Sequence, residues 1–242
     1  MTGVIGGCGS CTQNDPMPSI WSAPETVAGF IASPPNPALM RFAELESGQR
    51  SHAVAIDVGC GAGRNAVPLA RAGWIVLGTD TSRAMLEAAA QRQREADLHR
   101  RVYLAQATMA RLPAGDASAD LLIAHGIWNL ARSSAELRSA VGEAARVVRP
   151  GGSLFVFTFS RTTLPPSARP VPAETFVFTD FAGEPQCFLT GPQLVDELAT
   201  AGFEPDSGVE LRELNRPSGG LLHRSSGPVI WEGTFRRSAG SR

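Results

Sequence analysis

The segment from Ala55 to Arg64, AIDVGCGAGR, constrains the fold of this chain more than any other stretch. Residues suited to a buried strand, Ala55 to Val58, run directly into the alternate glycines Gly59, Gly61 and Gly63, and a helix-compatible segment follows. Glycines at the end of a strand let the backbone turn sharply and leave bare main chain against which a ligand can lie. The free N–H groups in the first turn of the next helix face the same place. The pattern predicts a βα unit, either with a ligand at its turn or as a plain connection.

The spacing of the glycines argues against a dinucleotide. A dinucleotide-binding turn has its third glycine three residues after the second, and Arg64 holds that position here. Asp80 ends the next predicted strand, about 20 residues after Gly59, where a nucleotide-binding βαβ unit places the acid that binds a ribose. The alternative is that Asp80 belongs to the N-terminal turn of the following helix, which Ser82 caps.

Predicted strands and helices alternate through the middle of the chain, which is typical of a mostly parallel sheet covered on both faces. Two long strands near the C-terminus suit an antiparallel pair at the far edge of this sheet. The predicted strands are 54–58, 74–79, 102–105, 120–124, 153–159, 204–214 and 228–236, and the predicted helices include 64–72, 82–96 and a segment from 133.

Length and composition favour one domain with an extension. A chain of 242 residues buries a full core. We expect residues 1–45 to form an N-terminal extension with two helices, which serve either as a lid over the ligand cleft or as packing on the sheet edge. Residues 46–242 then form the main domain.

Charge and hydropathy exclude several classes of partner. The formal net charge is −1 and no Lys/Arg run is present, which makes nucleic acid an unfavoured partner. No apolar run approaches the roughly 20 residues of a membrane span, and the N-terminus lacks the features of a secretory signal. We therefore expect a cytoplasmic protein that is a monomer or a homodimer. Cys8 and Cys11 form a C-x-x-C pair that is either a solvated tail or a thiol pair for a soft metal or metalloid; no metal site is predicted elsewhere.

Further landmarks follow the glycine turn in a recognisable order. They are Leu112-Pro113, the acidic stretch 116–120 and Arg149-Pro-Gly-Gly152 ahead of a strand. Together with Asp57 to Gly63 and Asp80, they resemble the motif series of the class I S-adenosylmethionine (SAM) methyltransferases over residues 53–160. The resemblance implies an α/β, Rossmann-like three-layer sandwich with a seven-stranded, mostly parallel sheet and one antiparallel strand near the C-terminus.

The same resemblance implies a cofactor site for SAM and its product S-adenosylhomocysteine. Gly59, Cys60 and Gly61 would lie against the methionine moiety, Asp57 would order the turn or reach the amino group, and Asp80, beside Thr81, would hold the ribose. Members of the family often carry an acid four residues before the Leu-Pro pair. Thr108 stands there in this chain, so the adenine contacts would depend more on backbone N–H groups near Met109 and Ala110.

Candidate substrate-side residues follow the fourth strand and lie in late loops. His125, at the carboxyl end of that strand, would touch the cofactor, act as a base or satisfy a backbone carbonyl. Trp21 and Trp128 would form an aromatic wall or pack in the core. His223 and Arg224 would hold a proton and clamp an oxyanion, or else belong to a solvated hairpin. The segment 219–225 also weakly resembles the tellurite-resistance methyltransferases.

The leading hypothesis is therefore a SAM-dependent methyltransferase acting on a small molecule, with a soft chalcogen, metalloid or thiol nucleophile as the methyl acceptor. Such a nucleophile needs no base, whereas an oxygen or nitrogen nucleophile usually does. An O- or N-methyltransferase of a small metabolite or natural product is the second hypothesis. A non-catalytic SAM-binding interaction module is the third.

Overall fold

The computed structural model describes residues 20–47, 52–216 and 227–239. Strands and helices alternate through the middle of this range, as the sequence pattern predicts. The strands are β1 Val54–Val58, β2 Ile75–Asp80, β3 Val102–Gln106, β4 Ala119–His125, β5 Val148–Phe159, β6 Val177–Phe178, β7 Gln186–Cys187, β8 Phe203–Pro205, β9 Arg212–Leu214 and β10 Ile230–Arg237. The α-helices are α1 Pro24–Ala32, α2 Pro37–Ser47, α3 Ala66–Arg71, α4 Arg83–Glu95, α5 Ser134–Val147 and α6 Gly191–Thr200.

The central sheet has the strand order β3-β2-β1-β4-β5-β10-β8. The first five strands in this order are parallel to their neighbours, and β10 is antiparallel to β5 and β8. The predicted Rossmann-like sheet with one reversed strand near the C-terminus is therefore confirmed. The reversal of strand order beside β1 places the carboxyl ends of β1 and β4 at the crevice where open α/β sheets bind ligands.

The predicted strand 204–214 is wrong in one respect, because it is broken into β8 and β9. Both pieces pair with the same edge of β10, at opposite ends of that strand. Between them the Asp206 carboxylate accepts a hydrogen bond from the Gly208 N–H, a local turn that competes with strand pairing. The edge of the sheet is thus interrupted where the sequence alone suggested a continuous strand.

Apolar side chains cover both faces of the sheet. On one face α5 and α6 pack against alternate residues of the central strands, including Leu122, Leu154 and Val156. On the other face α2 and α3 pack against their neighbours, including Leu121 and Phe155. This division follows directly from the two-residue period of a strand and completes the three-layer arrangement.

The two N-terminal helices differ in how they contact this core. Leu39 and Phe42 of α2 are buried against the sheet, so the boundary expected between residues 45 and 46 falls inside a core helix. Helix α1 has no fully buried residue, and its Phe30 lies over the glycine turn, 3.0 Å from the position that a Cβ of Gly61 would take. No helix within the described ranges has the length and apolarity to cross a membrane.

Candidate active site

The glycine turn after β1 has the backbone that its sequence predicts. Gly59, Gly61 and Gly63 have φ angles of +67°, +53° and +75°, in the left-handed region that residues with a Cβ avoid. A Cβ at Gly59 would lie 2.8 Å from the Ile127 side chain, just as one at Gly61 would meet Phe30. The turn is therefore a stretch of bare main chain that lies between side chains from α1 and from the loop after β4.

Asp80, at the end of β2, binds this turn directly. Its Oδ2 accepts a hydrogen bond of 2.9 Å from the Gly61 N–H, and its Oδ1 accepts one of 2.8 Å from the Ser82 N–H. The contact with Ser82 corresponds to the helix-turn alternative, and the carboxylate also joins the glycine turn to the start of α4; ribose binding by Asp80 stays a prediction. Each carboxylate oxygen has a second acceptor direction, which leaves capacity for the two hydroxyls of a ribose.

Asp57 of β1 lies beneath the same turn and is 1% exposed. Its Oδ2 has no hydrogen-bond partner within the described part of the chain. Burial raises the pKa of Asp57 to about 7, although the nearby Arg64 opposes the shift. A buried carboxylate with one unpaired oxygen matches a ligand ammonium group, because such a cation supplies both the missing donor and the missing charge.

His125, at the carboxyl end of β4, is surrounded by hydrogen-bond donors. Arg64 Nη2 lies 2.7 Å from its Nδ1, and Asn36 Nδ2 lies 3.2 Å from its Nε2. Its ring also stacks on Phe157, with centroids 4.1 Å apart. Burial and the neighbouring Arg64 cation lower the pKa of His125 to about 3. The imidazole is thus neutral at neutral pH and a weak proton acceptor, since a second cation beside Arg64 is unfavourable.

A row of polar side chains continues from His125 towards β10 and β9, near one edge of the sheet. Asn36 Nδ2 also donates a 2.8 Å hydrogen bond to Glu232 Oε2 on β10, and Arg212 of β9 contacts Glu232 Oε1 at 3.2 Å. Glu232 is 3% exposed. Arg64, His125, Asn36, Glu232 and Arg212 therefore form one connected set of polar groups above the carboxyl ends of the strands.

Comparison with known proteins identifies the family of this chain. A family model described as a methyltransferase domain matches residues 56–156. The demethylmenaquinone methyltransferase of Mycobacterium bovis is 30% identical over 71% of this chain and 73% of its own length. The chain belongs to the SAM-dependent methyltransferases. SAM is accordingly its cofactor, and the bare glycine turn, the ribose-side acid and the unpaired Asp57 oxygen fit that group.

Two further methyltransferases are similar to this chain. The 27-O-demethylrifamycin SV methyltransferase of Amycolatopsis mediterranei is 30% identical over 67% of this chain, which spans only 58% of that relative's length. The structure of the Burkholderia thailandensis 1,6-didemethyltoxoflavin-N1-methyltransferase, with 1,6-didemethyltoxoflavin and S-adenosylhomocysteine bound, matches with a TM-score of 0.62 and 20% identity. That match covers 84% of this chain and 79% of the other, and at this identity it shows the shared fold alone.

The other predicted cofactor residues of the methyltransferase lie around Asp80. The backbone N–H of Ala107, just before Thr108, donates to the carbonyl of Asp80, which brings the loop after β3 beside the glycine turn. Thr108 is exposed, whereas Met109 and Ala110 are half-buried. Thr81 is exposed, and its carbonyl accepts a hydrogen bond from Gln106. The uncharged Thr108 thus lies near the site but adds no carboxylate to it.

Cys60 sits inside the turn rather than on its surface. Its thiol packs against Gly78, 3.0 Å from the position of a Cβ there, and its N–H donates to the carbonyl of Thr79. Burial raises the pKa of the Cys60 thiol well above its usual value. The residue therefore stabilises the joint between β1 and β2, and its thiol is not ionised at neutral pH.

The two candidate substrate tryptophans have different environments. Trp128 is 1% exposed and belongs to the core on the α5 side, which is the packing alternative. Trp21 is half-buried in the N-terminal segment, where its ring meets Phe30 edge-on at 6.0 Å and its carbonyl accepts a hydrogen bond from Ser82. Trp21 thus helps α1 to rest on the start of α4. His223, Arg224, Cys8 and Cys11 lie outside the described residues.

The sequence patterns did not predict the polar residues that contact His125. In the sequence pattern Arg64 stands only where a third glycine is missing, although a cation directly after a buried glycine turn is a signal in itself. Glu232 carries a similar signal, because it is a lone acid in the apolar stretch Val229 to Gly233. Asn36 carries no comparable signal, since an Asn between prolines reads as an ordinary turn residue.

Proposed function

We propose that this chain transfers the methyl group of SAM to a small-molecule acceptor. The observation that carries the proposal is the unpaired Oδ2 of buried Asp57 beneath the glycine turn, with Asp80 at the ribose end of the same crevice. SAM supplies a methyl group on a positively charged sulfur that already acts as the leaving group. The protein then has to bind the cofactor, exclude water and align the acceptor in line with the methyl group.

Each part of the turn has a distinct task in this proposal. Asp57 accepts a hydrogen bond from the cofactor ammonium, and the main chain at Gly59 and Gly61 lies against the methionine moiety. Asp80 accepts from the ribose hydroxyls with the lone pairs that its two backbone partners leave unused. Helix α1 closes over the turn as a lid through Phe30, whose ring is supported by Trp21 from the segment before the helix, and excludes water. In this proposal the cover consists of the described residues before α2, whereas α2 itself belongs to the core of the main domain.

The properties of His125 favour an acceptor that arrives as a ready nucleophile. General base catalysis works best when the pKa of the base lies near the working pH, and burial beside Arg64 lowers the pKa of His125 to about 3. A thiolate, selenide or reduced tellurium species needs no base. We therefore retain a soft chalcogen, metalloid or thiol acceptor as the first choice, with His125 as a contact to the cofactor side of the site.

The second candidate is an O- or N-methyltransferase of a small metabolite or natural product. It is favoured by the similarity to the 27-O-demethylrifamycin SV methyltransferase, whose name describes an O-methyltransferase of a natural product. This candidate needs a base other than His125, and His223 is the one that the sequence offers. A non-catalytic SAM-binding module is the third candidate.

Binding and turnover experiments separate these candidates. In calorimetry we expect micromolar binding of S-adenosylhomocysteine and none of NAD; NAD binding in its place would refute the methyltransferase proposal. A methyl-release screen with radiolabelled SAM should then compare thiols, selenide and reduced tellurium generated from selenite and tellurite with an added thiol or borohydride reductant, and phenols. Turnover with thiols or reduced chalcogens but not with phenols supports the first candidate. Turnover with phenols alone, lost in His223→Ala, supports the second, and binding without turnover on any acceptor supports the third.

A further inference from the structure

Asn36 makes an unusual number of contacts for a residue between two helices. It stands directly before α2 and is 8% exposed. Its Oδ1 accepts a 2.9 Å hydrogen bond from the Leu39 N–H, which caps the helix, and its backbone N–H donates to Asn65 Oδ1 at 3.1 Å. Its Nδ2 lies 2.8 Å from Glu232 Oε2 and 3.2 Å from His125 Nε2. One side chain thus joins the start of α2 to β4 and β10.

The orientation of Asn36 is fixed by these partners. A carboxylate oxygen and a backbone N–H can be satisfied together only if Nδ2 faces Glu232 and Oδ1 faces Leu39. The donor Nδ2 therefore also faces His125. A neutral imidazole has a single acceptor nitrogen, so Asn36 and Arg64, whose Nη2 lies 2.7 Å from Nδ1, compete for it. The position of Arg64 beside Asp57 depends on how this competition is resolved.

We propose that Asn36 is a positioning residue of the cofactor site, which sets the imidazole of His125 and through it the guanidinium of Arg64 beside Asp57. The groups that face His125 in the described chain are Arg64 from the turn before α3, Asn36 from the start of α2 and Phe157 from β5. Glu232 stands behind Asn36, and Asp57 stands behind Arg64.

The charge of Arg64 also supports the positioning role proposed for Asn36. Arg64 forms no ion pair of 4 Å or less with any acid in the part of the chain that is described. Burial lowers the pKa of Arg64, while Asp57 opposes the shift. The guanidinium is therefore held at the floor of the crevice mainly by its contact with His125. If Asn36 no longer competed for the acceptor nitrogen of His125, Arg64 would bind that nitrogen alone, and its guanidinium would shift relative to Asp57, the residue proposed to bind the cofactor ammonium.

Two variants test this role in the full-length protein. Asn36→Ser keeps a hydroxyl that can cap α2 but is too short to reach Glu232 or His125. Ser133→Ala is the matched control, because Ser133 caps α5 through the Glu136 N–H and lies outside the polar row. We expect Asn36→Ser to weaken binding of S-adenosylhomocysteine about tenfold in calorimetry, the effect of one lost hydrogen bond. In the control we expect a lowered melting temperature and binding within about twofold of wild type.

The protonation of His125 gives a second measurement that a merely structural role would not change. Asn36→Ser removes the donor that faces His125 without adding a charge beside Glu232. Nuclear magnetic resonance titration of the histidine rings, assigned with His125→Gln, should show a higher pKa for His125 in Asn36→Ser than in wild type, because the neutral ring loses a hydrogen-bond donor. Unchanged cofactor affinity in Asn36→Ser would overturn the proposal, and unchanged titration of His125 would overturn the route through its imidazole.

The proposal rests on the cofactor site proposed above and not on the identity of the acceptor. Its failure and the failure of that function therefore give different results. If wild-type protein does not bind S-adenosylhomocysteine, the proposed function itself fails. If wild-type protein and Asn36→Ser bind it equally well, only the role of Asn36 is refuted.

Discussion

The carboxylate of Asp80 accepts a hydrogen bond from the backbone N–H of Gly61, with 2.9 Å between nitrogen and oxygen. This contact joins the end of β2 to the middle of the glycine turn, so the two proposed halves of the cofactor site, for the ribose and for the methionine moiety, are one unit. A single side chain fixes the shape of the turn, and we propose that its remaining lone pairs accept hydrogen bonds from the ribose.

Asp80→Asn should weaken the binding of S-adenosylhomocysteine by about 10- to 100-fold, because it removes the charge and one of two acceptor oxygens. Isothermal calorimetry measures the effect directly. Asp196→Asn on the exposed side of α6 is the matched control and should bind within about twofold of wild type. Equal affinity in both variants would contradict the role assigned to Asp80.

Asp57 should make cofactor binding depend on pH. Its pKa of about 7 means that the free site is increasingly protonated below pH 7, whereas the cofactor ammonium requires the ionised form. Affinity for S-adenosylhomocysteine should therefore rise with pH up to about 7 and then level off. Asp57→Asn should bind more weakly and show no such rise, which calorimetry at several pH values would reveal.

Asp57 should also make the free energy of unfolding depend on pH. This free energy should fall as the pH rises, whereas the cofactor affinity should rise. The pKa of Asp57 is raised in the folded protein from 3.8 to about 7, so its favourable contribution is complete below pH 4 and is lost as the pH rises to about 7. The shift corresponds to roughly 4 kcal/mol. Relative to Asp57→Asn, wild-type protein without cofactor should lose unfolding free energy between pH 4 and pH 7 in urea titrations. Parallel curves for the two proteins would refute the raised pKa.

His125 should make the protein sensitive to acid. Burial and Arg64 lower the pKa of this ring from 6.5 to about 3 in the folded state, so the unfolded chain binds the extra proton between these values. Stability from this group is complete above pH 6.5 and is lost as the pH falls towards 3, at up to about 1.4 kcal/mol per pH unit. His125→Gln should lack this loss, whereas His99→Gln, at an exposed position, should retain it. Denaturant titrations between pH 4 and pH 7 would measure the difference.

Gly61→Ala should damage both the turn and the contact with α1. Its φ of +53° is unfavourable for alanine, and the added Cβ would lie 3.0 Å from Phe30. We expect a loss of about 1–2 kcal/mol in unfolding free energy together with weaker cofactor binding. Gly115→Ala, where a Cβ meets no atom within 4 Å, should change stability by less than about 0.5 kcal/mol. Similar stability of the two variants would show that the turn tolerates a side chain.

Local patterns predicted most of the fold. The alternation of strands and helices gave the parallel sheet, and Ser82, Ser133 and Thr190 cap the helices whose starts they mark. These signals are legible because a helix start and a buried strand depend mainly on neighbouring residues. The break between β8 and β9 was not predicted, because the Asp206 turn competes with strand pairing at a sheet edge whose partner residues on β10 lie 16 to 34 residues away in the sequence.

The sequence by itself determined the glycine turn, the acid at the end of β2 and hence the family, since these features depend on spacing within one βαβ unit. Only the tertiary structure decided that His125 contacts Arg64 and Asn36 and that Asn36 reaches Glu232. These four residues come from distant parts of the chain. Their protonation and orientation depend on burial and on facing charges, which exist only after the sheet and the N-terminal helices have packed together.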